Sequence, residues 1–145
     1  MLSLKLIIYL LVFILVFHAI ATLNHWYWTF KWLDMPMHFL GGLWLSIIFF
    51  YFIYPRLQIT NYQLLITIIL ALGFVAIVGV LWEFFEFLFD VFISKAGYHG
   101  SFQMMRYGVK DLYTDTLSDL FFDLLGGLAL TIFALGENQI EIKER

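Results

Sequence analysis

Glu83, Glu86, Asp119 and Asp123 interrupt apolar stretches of membrane-spanning length in a 145-residue chain that is 63% hydrophobic. A carboxylate near the middle of a bilayer costs at least ~2.5–3.5 kcal/mol on insertion scales, so each one needs a proton, a cation or a partner. Several carboxylates on neighbouring helices repel one another in a low-dielectric interior, and not all of them ionise unless a cation sits among them. His38 adds an imidazole, a ligand or proton carrier. The chain has no cysteine, so a metal bound here has no thiolate ligand and would be held chiefly by carboxylate and imidazole. That donor set favours Mg²⁺, Mn²⁺, Zn²⁺ or iron over a soft metal. His38, Glu86, Asp119 and Asp123 are the candidate metal ligands, and Glu83, Glu86 and Asp119 the candidate general acid/base groups. Asp34, Asp115 and Arg106 complete the polar set.

The elements that must position these residues are four apolar segments: 4–23, 37–54, 64–93 and 117–135. Each is near or above the ~20 residues that cross a bilayer as a helix. The third is longer than the hydrocarbon core and must tilt, break or project beyond it. The fourth ends at Gly136 before a charged tail. These features read as one all-α integral membrane domain, a four-helix transmembrane bundle. No basic run points to nucleic acid; the partner is membrane lipid. Lys5 before an apolar run and Ala19-Ile20-Ala21 also fits a cleaved signal, although the run is long for one. Four basic residues fall on each side of the four spans, so positive charge leaves the orientation open.

Counting crossings brings the polar residues together. The end of the first helix, the start of the second, the end of the third and the start of the fourth lie on one side. His18, Asp34, His38, Glu83, Glu86, Asp90, Asp115, Asp119 and Asp123 are all at that side. Their spacing places each set on one helix face: Asp34 and His38 at i, i+4; Glu83, Glu86 and Asp90 at i, i+3, i+7; Asp115, Asp119 and Asp123 at i, i+4, i+8. Gly41-Gly42, Gly79 and Gly126-Gly127 adjoin these faces and let helices approach closely. Polar faces on separate helices avoid hydrocarbon by facing one another.

Plainer roles compete. Asp34 reads equally as an N-cap for a helix opening at Pro36, and Asp115 as an N-cap of the fourth helix. His18 reads as a packed, hydrogen-bonded residue. Asp90 and Asp111 reach headgroup depth. Arg106 either pairs with the acids, holds a phosphate headgroup or stays on the surface.

Asp34-Met35-Pro36-Met37-His38-Phe39-Leu40-Gly41-Gly42, Trp82-Glu83-Phe84-Phe85-Glu86 and Asp115-Thr116-Leu117-Ser118-Asp119, with Gly126-Gly127 beyond, resemble the YjdF-type bacterial inner-membrane proteins. That family carries H-F-x-x-G, E-x-x-E and D-T-x-x-D motifs in this order. A looser similarity reaches VanZ-like proteins, whose Gln and Pro-Gly-Arg stretch has only Gln103 and Arg106 as counterparts here. The resemblance covers Asp34 to Gly127 and implies a bacterial or archaeal cytoplasmic membrane protein. It implies no reaction. Three functions are left open: divalent-metal chemistry on a lipid or polyprenyl headgroup, a small proton or cation transporter or channel subunit, and a non-catalytic structural or partner-binding protein.

Overall fold

A computed structural model describes residues 2–57, 64–95 and 112–143, and their regular structure is helical throughout. Helix α1 (Leu4–Leu23) starts where the Ser3 hydroxyl accepts from the Leu6 amide at 3.2 Å, an N-cap contact that satisfies one free helical N–H. It ends at Asn24, whose backbone and side-chain N–H groups both donate to the Ile20 carbonyl. His25 then takes a left-handed conformation, φ 56°, which turns the chain into the short α2 (Trp26–Thr29). A 3-10 turn, Lys31–Leu33, leads into α3 (Asp34–Ile48). A π-helical turn, Phe49–Ile53, and a 3-10 turn containing Pro55 prolong α3 to Arg56. Helices α4 (Leu64–Lys95) and α5 (Leu112–Lys143) follow.

Four helical stretches are long and apolar enough to cross a membrane: Leu4–Leu23, Lys31–Arg56, Leu64–Phe89 and Tyr113–Gly136. The all-α, four-helix membrane bundle expected from the sequence is what forms. Three boundaries differ from expectation. The second span's helix opens at Asp34 itself, whose side chain does not cap it. Asp115 is likewise inside α5, one turn from its start, and not its cap. Helix α5 runs through Gly136 to Lys143, because a glycine weakens a helix by only ~1 kcal/mol when nothing else breaks it. The third segment is one unbroken helix of 32 residues, about 48 Å at ~1.5 Å per residue. Tilt or projection therefore accommodates its length, and a break does not.

Helices α3 and α5 form the most extensive pair, with α4 against α5 and α1 against α3. At the end remote from the acids, Phe49, Phe50, Ala71 and Ala134 pack as an apolar core. Ile7, Ile47 and Leu130 fill the middle. Ala21, Tyr27 and Leu33 close the acidic end. The buried hydroxyls of Ser46 and Thr131 both donate to the Gly127 carbonyl, at 3.0 and 2.8 Å, one of them from across the helix pair. The Trp44 indole N–H donates to the Ile7 carbonyl at 2.9 Å and ties α1 to α3. Large apolar side chains such as Tyr9, Phe13, Ile77, Phe84 and Phe133 remain exposed, as expected of faces whose solvent is lipid.

Candidate functional site

Two glycines set the geometry of the site. A methyl group on Gly42 would collide with the backbone carbonyl of Asp123, and one on Gly126 would collide with the backbone carbonyl of Phe39. Only hydrogen fits at either place, so the backbones of α3 and α5 touch. His38 sits one turn before Gly42, and Asp123 lies three residues before Gly126. The close crossing thus presses the imidazole against the acidic face of α5. Gly79 serves the third helix in the same way: a Cβ there would lie 2.7 Å from Asp123 Oδ2, so α4 comes up against that carboxylate.

The His38 ring lies among three carboxylates. Asp123 Oδ1 is 3.4 Å from Nδ1. Asp119 Oδ2 is 3.8 Å and Asp34 Oδ1 4.0 Å from the other nitrogen, Nε2. Asp119 and Asp123 are 2% and 5% exposed and His38 9%, so these charges lie inside the bundle. One ligand atom each from Asp34, His38 and Asp119 falls within a common span of 4.8 Å. Asp34 reaches this cluster because it is in the first turn of α3, i, i+4 from His38.

The remaining acids form the rim. Glu83 Oε2 accepts from the Thr116 hydroxyl at 2.8 Å, which links α4 to α5. Its other oxygen is buried and has no hydrogen-bond partner among the described residues. Glu86 Oε1 accepts from the Trp82 indole N–H at 3.0 Å. Glu86 shares a cleft with Asp34, His38 and Asp123 but is not in the three-residue cluster around Nε2. Asp115 is half-buried one turn before Asp119. His18 Nδ1 lies 3.0 Å from the Tyr27 hydroxyl, the packed, hydrogen-bonded role read from the sequence, and both residues also line the cleft. Arg106 and Asp111 lie outside the described residues, as does the side chain of Asp90.

The structure therefore brings His38, Asp119 and Asp123 together, adds Asp34 to them, and puts Glu83 and Glu86 on the α4 side. Sequence reasoning left Asp34 between cap and ligand; its i, i+4 relation to His38 was the available signal. Tyr27 and Trp82 are not among the candidates read from the sequence. Trp82 is i, i+4 from Glu86 and so shares its face, whereas nothing in the spacing of Tyr27 marks it as a cleft residue, because α2 reaches the site through the turn at His25.

The family described as predicted membrane protein, DUF2238, matches residues 2–138. No curated protein and no solved structure matches the chain.

Proposed function

The chain belongs to the DUF2238 family of predicted membrane proteins, and on that footing we propose that Asp34, His38 and Asp119 hold a divalent cation for chemistry on a lipid or polyprenyl-linked headgroup. One observation carries this reading. Two carboxylates from different helices converge on Nε2 of one imidazole, while a third takes its Nδ1. Metal-bound histidines commonly give their second nitrogen to a carboxylate, which fixes the ring and raises its basicity. Asp123 is in that position. The separations of 3.8 and 4.0 Å at Nε2 exceed direct hydrogen-bond length. They are near the ~3–4 Å that separates two ligands each roughly 2.0–2.2 Å from a shared ion.

Mg²⁺, Mn²⁺ and Zn²⁺ suit this donor set. Three protein ligands leave positions for water or substrate oxygen, the arrangement of a catalytic site. A cation held there would supply Lewis-acid polarisation of a headgroup oxygen. Glu83, with one buried oxygen lacking a described partner, and Glu86, on the cleft, are within the same end of the bundle. They are the general acid/base groups in this reading. Asp115 belongs to the outer polar set, and Arg106 lies outside the described residues. The family match is consistent with a YjdF-type protein and with an integral membrane location; we read that membrane as a bacterial or archaeal cytoplasmic one. The VanZ-like similarity draws no support from the comparisons.

A proton or cation transporter uses the same carboxylates but needs a route to the other side. Of the buried hydroxyls beyond the acidic end, two, Ser46 and Thr131, spend their donors on the Gly127 carbonyl, and the far core is Phe and Ala. That favours a one-sided pocket. The test is metal content and affinity of the purified full chain. The expectation is about one Mn²⁺ or Zn²⁺ per chain, lost in His38→Ala and in Asp119→Asn. Background metal in the wild-type protein, with and without added lipid, would reject the reading.

A further inference from the structure

A cleft of about 220 Å³ lies between α1, α3 and α4, and the acidic centre forms one end of it. Its walls are apolar: Leu11, Ile14 and Leu15 from α1, Leu45 from α3, and Val78 from α4. Leu15 is 57% exposed although it lines the cleft, so the cleft opens sideways, where a membrane protein meets lipid. Its apolar walls along α1, α3 and α4 suit a hydrocarbon chain lying lengthwise.

Among the described residues the polar end is acidic. Asp34, Glu86 and Asp123 contribute carboxylates, and no Lys or Arg is among the described residues of the lining. His38 is the one imidazole within this acidic group, and three carboxylates surround it. Three aromatic side chains, Tyr27, Trp44 and Trp82, line the same cleft. The Trp82 indole N–H is held by Glu86, and the Tyr27 hydroxyl by His18, which fixes both rings. Aromatic faces beside carboxylates attract ammonium groups through the ring quadrupole, and this combination recognises quaternary ammonium in protein cages. An anionic head without a bridging cation meets repulsion here.

From these features we infer that the cleft seats one chain of a membrane amphiphile whose head carries an ammonium group, entering sideways between α1 and α4. The ammonium meets Glu86 and the aromatic rings, and the chain lies along Leu11, Ile14 and Val78. This goes beyond the metal reading and does not require it, because Glu86 stands outside the Asp34–His38–Asp119 cluster.

The experiment uses the full chain in uncharged maltoside micelles with chelator present. The probes are dodecyl chains with a tail diazirine and a trimethylammonium, hydroxyl or phosphate head. Crosslinks are mapped by mass spectrometry. The trimethylammonium probe should label the inner faces of α1 and α4 at least tenfold more than the hydroxyl or phosphate probe. Glu86→Gln should cut that preference below threefold while chain labelling persists. Leu11→Trp, which fills the cleft, should abolish labelling, whereas Phe13→Trp on the outward face of α1 should leave it unchanged. Equal labelling by all three heads, labels spread over outward residues such as Phe13, or preference for phosphate would overturn the inference. The wild-type comparison among heads stands even if Leu11→Trp fails to fold. Metal content is measured separately, so a protein that binds Mn²⁺ but shows no head preference fails here alone, and the converse result fails only the metal reading.

Discussion

Two ends of the same α3–α5 seam pack by opposite means. At the remote end, Phe49 and Phe50 meet Ala71 and Ala134 with bulky rings against small residues, and the nearby hydroxyls of Ser46 and Thr131 are absorbed by one carbonyl. At the acidic end, Gly42 and Gly126 strip the side chains away until backbones touch, and a histidine with two buried aspartates fills the space beside them. The first arrangement is a self-sufficient core. The second encloses a concentration of negative charge that nothing apolar satisfies. A membrane protein gains little hydrophobic drive from burying side chains, since lipid tails are as apolar as leucine. Carboxylates persist in such a place when they bind something.

The contrast is sharpest where a single methyl group is added. Gly42→Ala forces α3 off the Asp123 carbonyl, a rigid neighbour. Overpacking of even one methylene costs ~1–3 kcal/mol, and here the two backbones must part. The expected outcome is loss of the assembled bundle, or a folded protein without metal, read by size-exclusion behaviour and metal content. Unchanged stability and metal content would show that the helices do not cross at these glycines.

Phe49→Ala attacks the other end. Phe49 is 2% exposed, and Phe→Ala in soluble cores costs ~3–5 kcal/mol. Here the cost should fall below that range, because the transfer part nearly vanishes in lipid and the cavity part remains. The unfolding midpoint in denaturing detergent should drop while metal affinity per folded molecule is retained. A proportionate loss of metal affinity would mean the two ends are one cooperative unit.

Asp123→Asn keeps the shape of the acidic end and removes the charge beside Nδ1. Loss of such an orienting carboxylate typically weakens metal binding ~10–100-fold without abolishing it. Titration with Mn²⁺ checks this, and complete loss would make Asp123 a direct ligand. The smallest effect belongs to Ser46→Ala. Buried hydrogen bonds in membrane bundles average ~0.6 kcal/mol, and Thr131 still donates to the Gly127 carbonyl. Its unfolding midpoint should shift slightly, with metal affinity unchanged.

Much of the acidic end was legible in the sequence because helical periodicity is strict. Asp119 and Asp123, at i, i+4, had to share a face, and glycines one turn away had to mark the crossing. The four apolar segments followed from length alone. The division of labour among the acids around His38 was not legible. Periodicity gives a face, but it does not say that Asp123 meets Nδ1 while Asp119 meets Nε2. That distinction is fixed by the offset between Gly42 and Gly126, a tertiary quantity. The role of Asp34 depended on whether α3 begins before or after it, and helix ends are weakly encoded. Tyr27 was hidden for a different reason: the left-handed turn at His25 folds α2 back toward the cleft, and a histidine, although enriched in that conformation, adopts other conformations far more often and does not by itself mark such a turn.

The central claim, that His38 is a metal ligand at the α3–α5 crossing, is tested most directly by pulsed electron paramagnetic resonance of Mn²⁺ added to the purified full chain. A nitrogen coupling from one directly bound imidazole is expected, and it should vanish in His38→Gln while remaining in His18→Gln. Bound Mn²⁺ with no nitrogen coupling, or with a coupling that survives His38→Gln, would contradict it.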